Sequence, residues 1–473
     1  MATTKARLGW HRFQFKYLKN MIKNSVFWLF FLAVAIVPHA AVSASPEEAG
    51  AWAELASNGD RDALTRLTKA AEAHDPDSQY RLGVLIFEGR VVKKNDAQAA
   101  DLFARAASKG HEAAMNALAF LLQKGLGADK NEAEAANWYE RAAKLGHADA
   151  QNNLAWLLQH GLGRPRDLDM AIIWYQKASD SGHAVAAYQL GLIFETVEAG
   201  DKTQDMGANK DRVAALTWYR IAAERGNAMS QYKLGEALTL GHGTSRNQES
   251  GIAWLEKSAG QGNPLAMSLL GIEYSKGVKN DKPSQGNARA LQLASEAARL
   301  GVPAAQRLLA NSYEKGMVFG KDPSAAIRWY REAAVRGDIE SQLPLAKLLD
   351  QGPKSVQDPK EAAVWYGKAS AAGISEADLW LGRLYQDGRG VVRDPRQAFE
   401  HYQKAIKGGS LDAIYRIAVL YDEGLGVARD TRKARDAFAA AADKGHVGAK
   451  EFLDRLLMPK EKDPFEPIKF GRF

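Results

Sequence analysis

The chain has no cysteine in 473 residues. That excludes disulfides, thiolate zinc sites and cysteine nucleophiles, although an oxidising compartment does not itself require cysteine. Acidic side chains are missing from the first 44 residues, and the apolar run inside that stretch, residues 26–37, is only twelve long. Twelve helical residues rise ~18 Å against a hydrocarbon core of ~30 Å, so this run is short for a stable spanning helix. Also absent are His-Glu-x-x-His, Gly-x-Ser-x-Gly and phosphate-loop patterns, the commonest local signatures of zinc proteases, α/β-hydrolases and P-loop enzymes.

The leader that remains is basic, then apolar, then polar. Lys5, Arg7, Arg12, Lys16, Lys19 and Lys23 precede the apolar run, and the small residues Val42 and Ala44 precede Ser45. That order, with a small-x-small cleavage site, is the pattern of a secretory signal peptide. Cleaved export is therefore expected; the alternative is an uncleaved anchor, since the long basic segment would hold the N-terminus in the cytoplasm. Six of the 63 basic residues lie in this leader, leaving 57 against 56 acidic residues and a balance of +1. The high isoelectric point belongs to the leader. A nucleic-acid partner is not expected, because the rest of the chain carries no basic stripe.

Ten glycines fall in one phase: Gly110, Gly146, Gly182, Gly226, Gly262, Gly301, Gly337, Gly373, Gly409 and Gly445, mostly 36 residues apart. A recurring period of this size predicts a solenoid of helix pairs. In each first helix a small column such as Ala377 is followed by Leu381 and then by a Gly/Ala column that includes Gly83, Ala119, Ala155, Gly191, Gly235, Gly271 and Gly382. Small side chains there let two helices approach closely. Gly388 and Gly424 are expected to end first helices. The second helix is expected to start at an N-cap column of Asn95, Asn131, Asp167, Asp211, Asn247, Gly286, Asp322, Asp358, Asp394 and Asp430, with Asp358 and Glu361 close to a capping box. Trp138, Trp174, Trp218, Trp254, Trp329 and Trp365 form a packing column on that helix, and the inter-repeat glycines are expected at positive φ.

The segments LGRLYQDGRGV from Leu381 and AAVWYGKASAAG from Ala362 resemble the two halves of the Sel-1-like repeat (SLR), a relative of the tetratricopeptide array. The resemblance covers about ten repeats. It implies an all-α fold, a right-handed α/α superhelical solenoid of about ten helix pairs whose first helices line the concave side, and an adaptor role in protein complexes, often in bacterial envelopes and signalling. The resulting organisation is a leader at 1–44, a divergent N-terminal cap at 45–75, the solenoid at 76–446, a capping helix at 447–458 and a flexible tail at 459–473. Export then means the periplasm, and the uncleaved alternative means the inner membrane with the chain facing the periplasm.

Chemistry is harder to find. His111, His147, His183 and His446 share one column, but successive repeats are ~10 Å apart whereas zinc ligands sit near 2 Å from the metal; they read as polar turn residues, with no metal and no cofactor expected. Some SLR proteins have been associated with penicillin binding, which makes the Ser-x-x-Lys match Ser230–Lys233 a candidate; but Ser230 lies in the small packing column and no Lys-Thr-Gly element accompanies it. The expected function is a non-catalytic scaffold for protein or peptide partners. The rivals are an envelope enzyme acting on peptidoglycan or β-lactams and a periplasmic regulator that sequesters a membrane sensor. The residue after each Gly/Ala column points away from the first-helix core. It is Val84, Phe120, Trp156 and Leu192 in the first four repeats, and with Tyr80, Tyr188 and Tyr232 these form the candidate partner strip. Trp156 and Trp380 lie outside the tryptophan column, and the fourth repeat carries eight extra residues before Asp211, an insertion at 196–210 that reads first as a tolerated loop.

Overall fold

A computed structural model describes residues 44–197, 205–276, 283–317 and 320–457. The expected leader up to residue 43 and the expected tail lie outside the described residues. Within them the chain is all-α: 23 α-helices and two short 3₁₀ turns, with no strand among the described residues. No helix there is long and apolar enough to cross a membrane. The chain divides into two compact units, Met1–Trp138 and Tyr139–Phe473, each built of antiparallel helix pairs; a typical pair is Ala148–His160 with Leu168–Asp180. Ahead of the repeats lie helices Pro46–Ser57 and Arg61–Glu72, and after them Val447–Leu457.

The inter-repeat glycines are where the chain turns. All ten have φ between 85° and 97°, a region closed to most side-chain-bearing residues. Gly388 and Gly424 end first helices in the left-handed conformation, as expected. A second glycine two residues later was missed in the sequence. At Gly390 a Cβ would lie 2.2 Å from the Pro359 carbonyl oxygen, so this turn sits directly on the start of the preceding second helix and only glycine fits.

Helix starts follow the cap column with two exceptions. Asp167, Asn247, Asp322, Asp358, Asp394 and Asp430 each accept a backbone N–H two or three residues on. Asp211 and Gly286 do not cap: they lie inside helices Asp205–Glu224 and Pro283–Arg299. In both repeats the extra residues are read by the backbone as helix, which extends upstream past the expected cap. Part of the 196–210 insertion is therefore helix rather than loop, and residues 198–204 lie outside the described set. The capping box expected at Asp358 also fails. Glu361 instead makes a bidentate pair with Arg331, 2.7 Å at both Nε and an Nη, and accepts from the Trp365 indole at 3.0 Å. The complete box is at Ser45 and Glu48.

The small column is explained by what faces it. A Cβ on Gly382 would lie 2.6 Å from the ring of Tyr402, and one on Gly191 2.4 Å from Tyr219. The residue driven into these helix pairs is thus a tyrosine, beside the tryptophan at Tyr219 and beside His401 at Tyr402. Tyr139, Tyr175, Tyr366 and Tyr402 are fully buried. In the tryptophan column Trp174 and Trp365 are buried, but Trp138, Trp218, Trp254 and Trp329 are half-buried. Lysines one turn on cover the ring faces of Trp174, Trp254 and Trp365, with Nζ 4.3, 4.1 and 3.8 Å from the centroids. The tryptophans seal the edge of the core, and the tyrosines fill it.

Candidate functional site: the first-helix column

Each buried tyrosine needs a partner for its hydroxyl, and the first helix supplies one. Tyr175 donates to Gln159 (2.9 Å), Tyr219 to Glu195 (2.5 Å), Tyr330 to Glu314 (2.8 Å), Tyr366 to Asp350 (3.5 Å) and Tyr402 to Gln386 (2.6 Å). Burial pushes these phenols well above their usual pKa. The pattern was legible in sequence: a tyrosine sixteen residues after Gln, Glu or Asp, or twenty-four across the insertion.

The histidine column has a structural use that sequence reasoning missed. Each imidazole caps the next first helix, its Nδ1 accepting from Ala114 (3.1 Å), Ala150 (3.3 Å), Ala186 (3.1 Å) and Ala449 (3.0 Å). Nε2 of three of them faces an aspartate of the preceding repeat: Asp77 from His111 (3.4 Å), Asp149 from His183 (3.1 Å) and Asp412 from His446 (2.8 Å). The signal was an Asp thirty-four residues ahead of the His; at His147 that position is Ala113. Among the described residues no group of three or more His, Asp or Glu is placed to hold a metal ion.

The predicted strip residues are distributed over both compact units. In the first, Val84 and Phe120 are half-buried, with Lys124 Nζ 5.9 Å from the Phe120 ring. Tyr80, also half-buried, packs against Phe103 and His111, with ring centroids at 5.9 and 4.8 Å. In the second unit Trp156 and Leu192 are half-buried, and the His160 ring lies 4.5 Å from Trp156. Tyr188 lies 5.9 Å from Tyr219, and burial with the nearby Glu195 charge pushes its phenol up to about 12. Tyr232 donates to Glu236. The rest of the column in this unit, Glu236, Ile272, Asn311, Lys347, Arg383 and Val419, is also half-buried throughout. Its character changes from Trp156 and Leu192 at one end to Lys347 and Arg383 towards the other.

Polar groups along this side are mostly committed to one another. Burial raises the Glu195 carboxyl, but hydrogen bonds from Lys233 (2.8 Å) and Tyr219 (2.5 Å) outweigh it and hold the group below the usual carboxylate range. Lys233 therefore serves Glu195, while Ser230 is fully buried in the packing column. Ser370 and His401 both bind the buried Asp378, at 2.7 and 2.8 Å. The serine proton points to the carboxylate, so these three residues are not arranged as a hydroxyl activated by an imidazole.

These features define an all-α repeat solenoid. Ten contiguous matches to the Sel1 repeat model run from 76–111 to 411–446, and the chain belongs to the Sel1 repeat family. A protective antigen present in uropathogenic Escherichia coli strains, c5321, displaying an SLR fold, is 29% identical with a TM-score of 0.60 over 84% of this chain and 91% of that one. A Sel1 repeat protein from Oxalobacter formigenes is 31% identical with a TM-score of 0.47 over 54% of this chain and 100% of that one. A comparison with curated proteins finds no match.

Proposed function

We propose that the chain is a non-catalytic scaffold that binds an extended segment of a protein partner along its first-helix column. The observation that carries this reading is the column itself, which from Trp156 to Val419 is half-buried in every repeat, neither packed into the core nor fully in solvent. Side chains held in that way offer rigid, partly desolvated surface at a regular spacing, the property of residues that dominate binding energy. The commitment of Lys233 to Glu195 and of Ser370 to Asp378 supports binding over hydrolysis of peptidoglycan or β-lactams. We place the scaffold in the periplasm, or on the inner membrane facing it. The basic leader supports export.

The test is crosslinking of the chain in cell-envelope extracts, then titration of the recovered partner against a Trp156→Ala, Leu192→Ala double variant. Affinity is expected to fall by a few kcal/mol, ~2 or more, as for central aromatic anchors, with little change in Tm. A large loss of Tm with unchanged affinity per folded molecule would assign both side chains to packing and refute the proposed surface.

A further inference from the structure

Three cations on the first helices of the second unit have carboxylate partners. Lys233 pairs with Glu195 at 2.8 Å, Arg307 with Asp338 at 3.0 Å, and Lys347 with Glu376 at 2.5 Å. Lys347 reaches forward twenty-nine residues to the first turn of the next first helix. In the same register Arg383 would reach Asp412, but Asp412 accepts from His446 at 2.8 Å. Arg383 is left without an ion pair among the described residues. Its guanidinium lies instead over the face of Trp380, 4.7 Å from the ring centroid, and Lys347 approaches the same ring at 6.0 Å.

A guanidinium held over an aromatic ring can still offer N–H groups to a carboxylate, which it recognises bidentately. Beside it is an opening of about 160 Å³ lined by Trp380, Arg383, Leu384 and Asp387 together with Asp350 and Arg389. The last two neutralise each other at 2.8 Å. Asp387 is exposed and has no ion pair among the described residues. Arg383 therefore offers one unpaired positive charge at this opening, enough for one carboxylate and not for a run of acids.

We propose that Arg383, held on Trp380, receives a single Asp or Glu side chain of the extended partner segment. This rests on the binding function proposed above and adds the chemistry of one contact: apolar anchoring at the Trp156 and Leu192 end, and one acid read at Arg383. Lys347 is committed to Glu376, so Arg383 carries the charge that is read.

The experiment uses the whole chain and a displayed library of random dodecapeptides. Selected peptides are expected to carry one acid at a common position. Replacing it by the amide should weaken binding to the unaltered chain at least ten-fold, and R383Q should bind the acid and amide forms alike. R383Q should leave helix content and Tm unchanged, because the side chain is half-buried and holds no ion pair. Selected peptides without an enriched acid, or an R383Q chain that still prefers the acid form, would overturn the Arg383 assignment. If those peptides nonetheless lose affinity on Trp156→Ala, the scaffold function survives without it. If the library yields no binder, both fall.

Discussion

The repeats at 228–302 and those at 339–410 close their helix pairs in different ways. In the later pair a large ring fills the interface and is fixed by a hydrogen bond: Tyr366 to Asp350 and Tyr402 to Gln386. In the earlier pair Leu255 and Ala294 stand where the tyrosines would be, and the facing residues are Thr239 and Ser275. Those hydroxyls turn back onto their own helix, to the carbonyls of Gly235 (2.7 Å) and Ile272 (2.7 Å), and bridge nothing. The lost volume is recovered by backbone approach: a Cβ on Gly251 would lie 2.3 Å from Thr239 Oγ1, and one on Gly235 3.0 Å from the Gly251 carbonyl. Glycine against glycine and ring against glycine are two solutions to one packing problem. The first relies on shape alone; the second adds a polar bond that also fixes register.

If that contrast is right, the largest single loss comes from emptying the ring site. Tyr402→Ala should cost ~3–5 kcal/mol through the cavity it leaves, and Tyr402→Phe ~1 kcal/mol, the worth of the hydroxyl bond to Gln386. Hydrogen exchange resolved by repeat is the appropriate measurement, because a solenoid unfolds repeat by repeat rather than as one unit. Equal protection in the Ala and Phe variants around 375–410 would show that the ring does not fill the interface.

The period, the turn glycines and most helix starts could be read from the chain because each is a local requirement: a positive φ, a missing Cβ, an oxygen at an N-cap. What could not be read depends on geometry between elements. Asp211 and Gly286 match the cap column in register, yet the helices run through them, since nothing in the upstream residues stops helix propagation. Glu361 occupies a capping-box position, yet the Arg331 fork and the Trp365 indole compete for its carboxylate and win. The histidine caps went unseen because imidazole is uncommon as an N-cap, and the Asp that orients it is thirty-four residues away. Of the candidate surface, the column phase was legible from 3.6-residue periodicity; which of its cations would be left without a partner was not, because that turns on Asp412 choosing His446.

The glycine side of the contrast gives a second, smaller effect. Alanine occupies the Gly251 column in nine of the ten repeats, as at Ala362 and Ala398, so Gly251→Ala is the substitution a consensus argument would favour. The structure predicts the opposite. The added methyl meets Thr239 Oγ1 at 2.3 Å and its backbone nitrogen at 2.8 Å, and such overpacking costs ~1–3 kcal/mol. Gly367, which has no atom within 4 Å of a built Cβ, is the control: Gly367→Ala should be neutral or stabilising by up to ~1 kcal/mol. Thermal unfolding of the two variants side by side checks this, and a gain in both would mean that the close approach at 228–302 is not a constraint.

The smallest effects separate true caps from residues that only share their register. Asp358 accepts from the backbone N–H groups of Lys360 and Glu361 at 3.1 and 3.0 Å, so Asp358→Ala should destabilise by ~1 kcal/mol. The loss should appear as faster exchange across 358–373. Gly286 occupies the same column but is the fourth residue of helix Pro283–Arg299, where glycine is a poor helix former. Gly286→Ala should therefore stabilise that helix by up to ~1 kcal/mol. The two substitutions place the same side chain at the same column position and are expected to differ in sign. Only the location of the helix start distinguishes them. A destabilising Gly286→Ala would mean that this second helix begins at the column after all, and that the sixth repeat keeps the register of its neighbours.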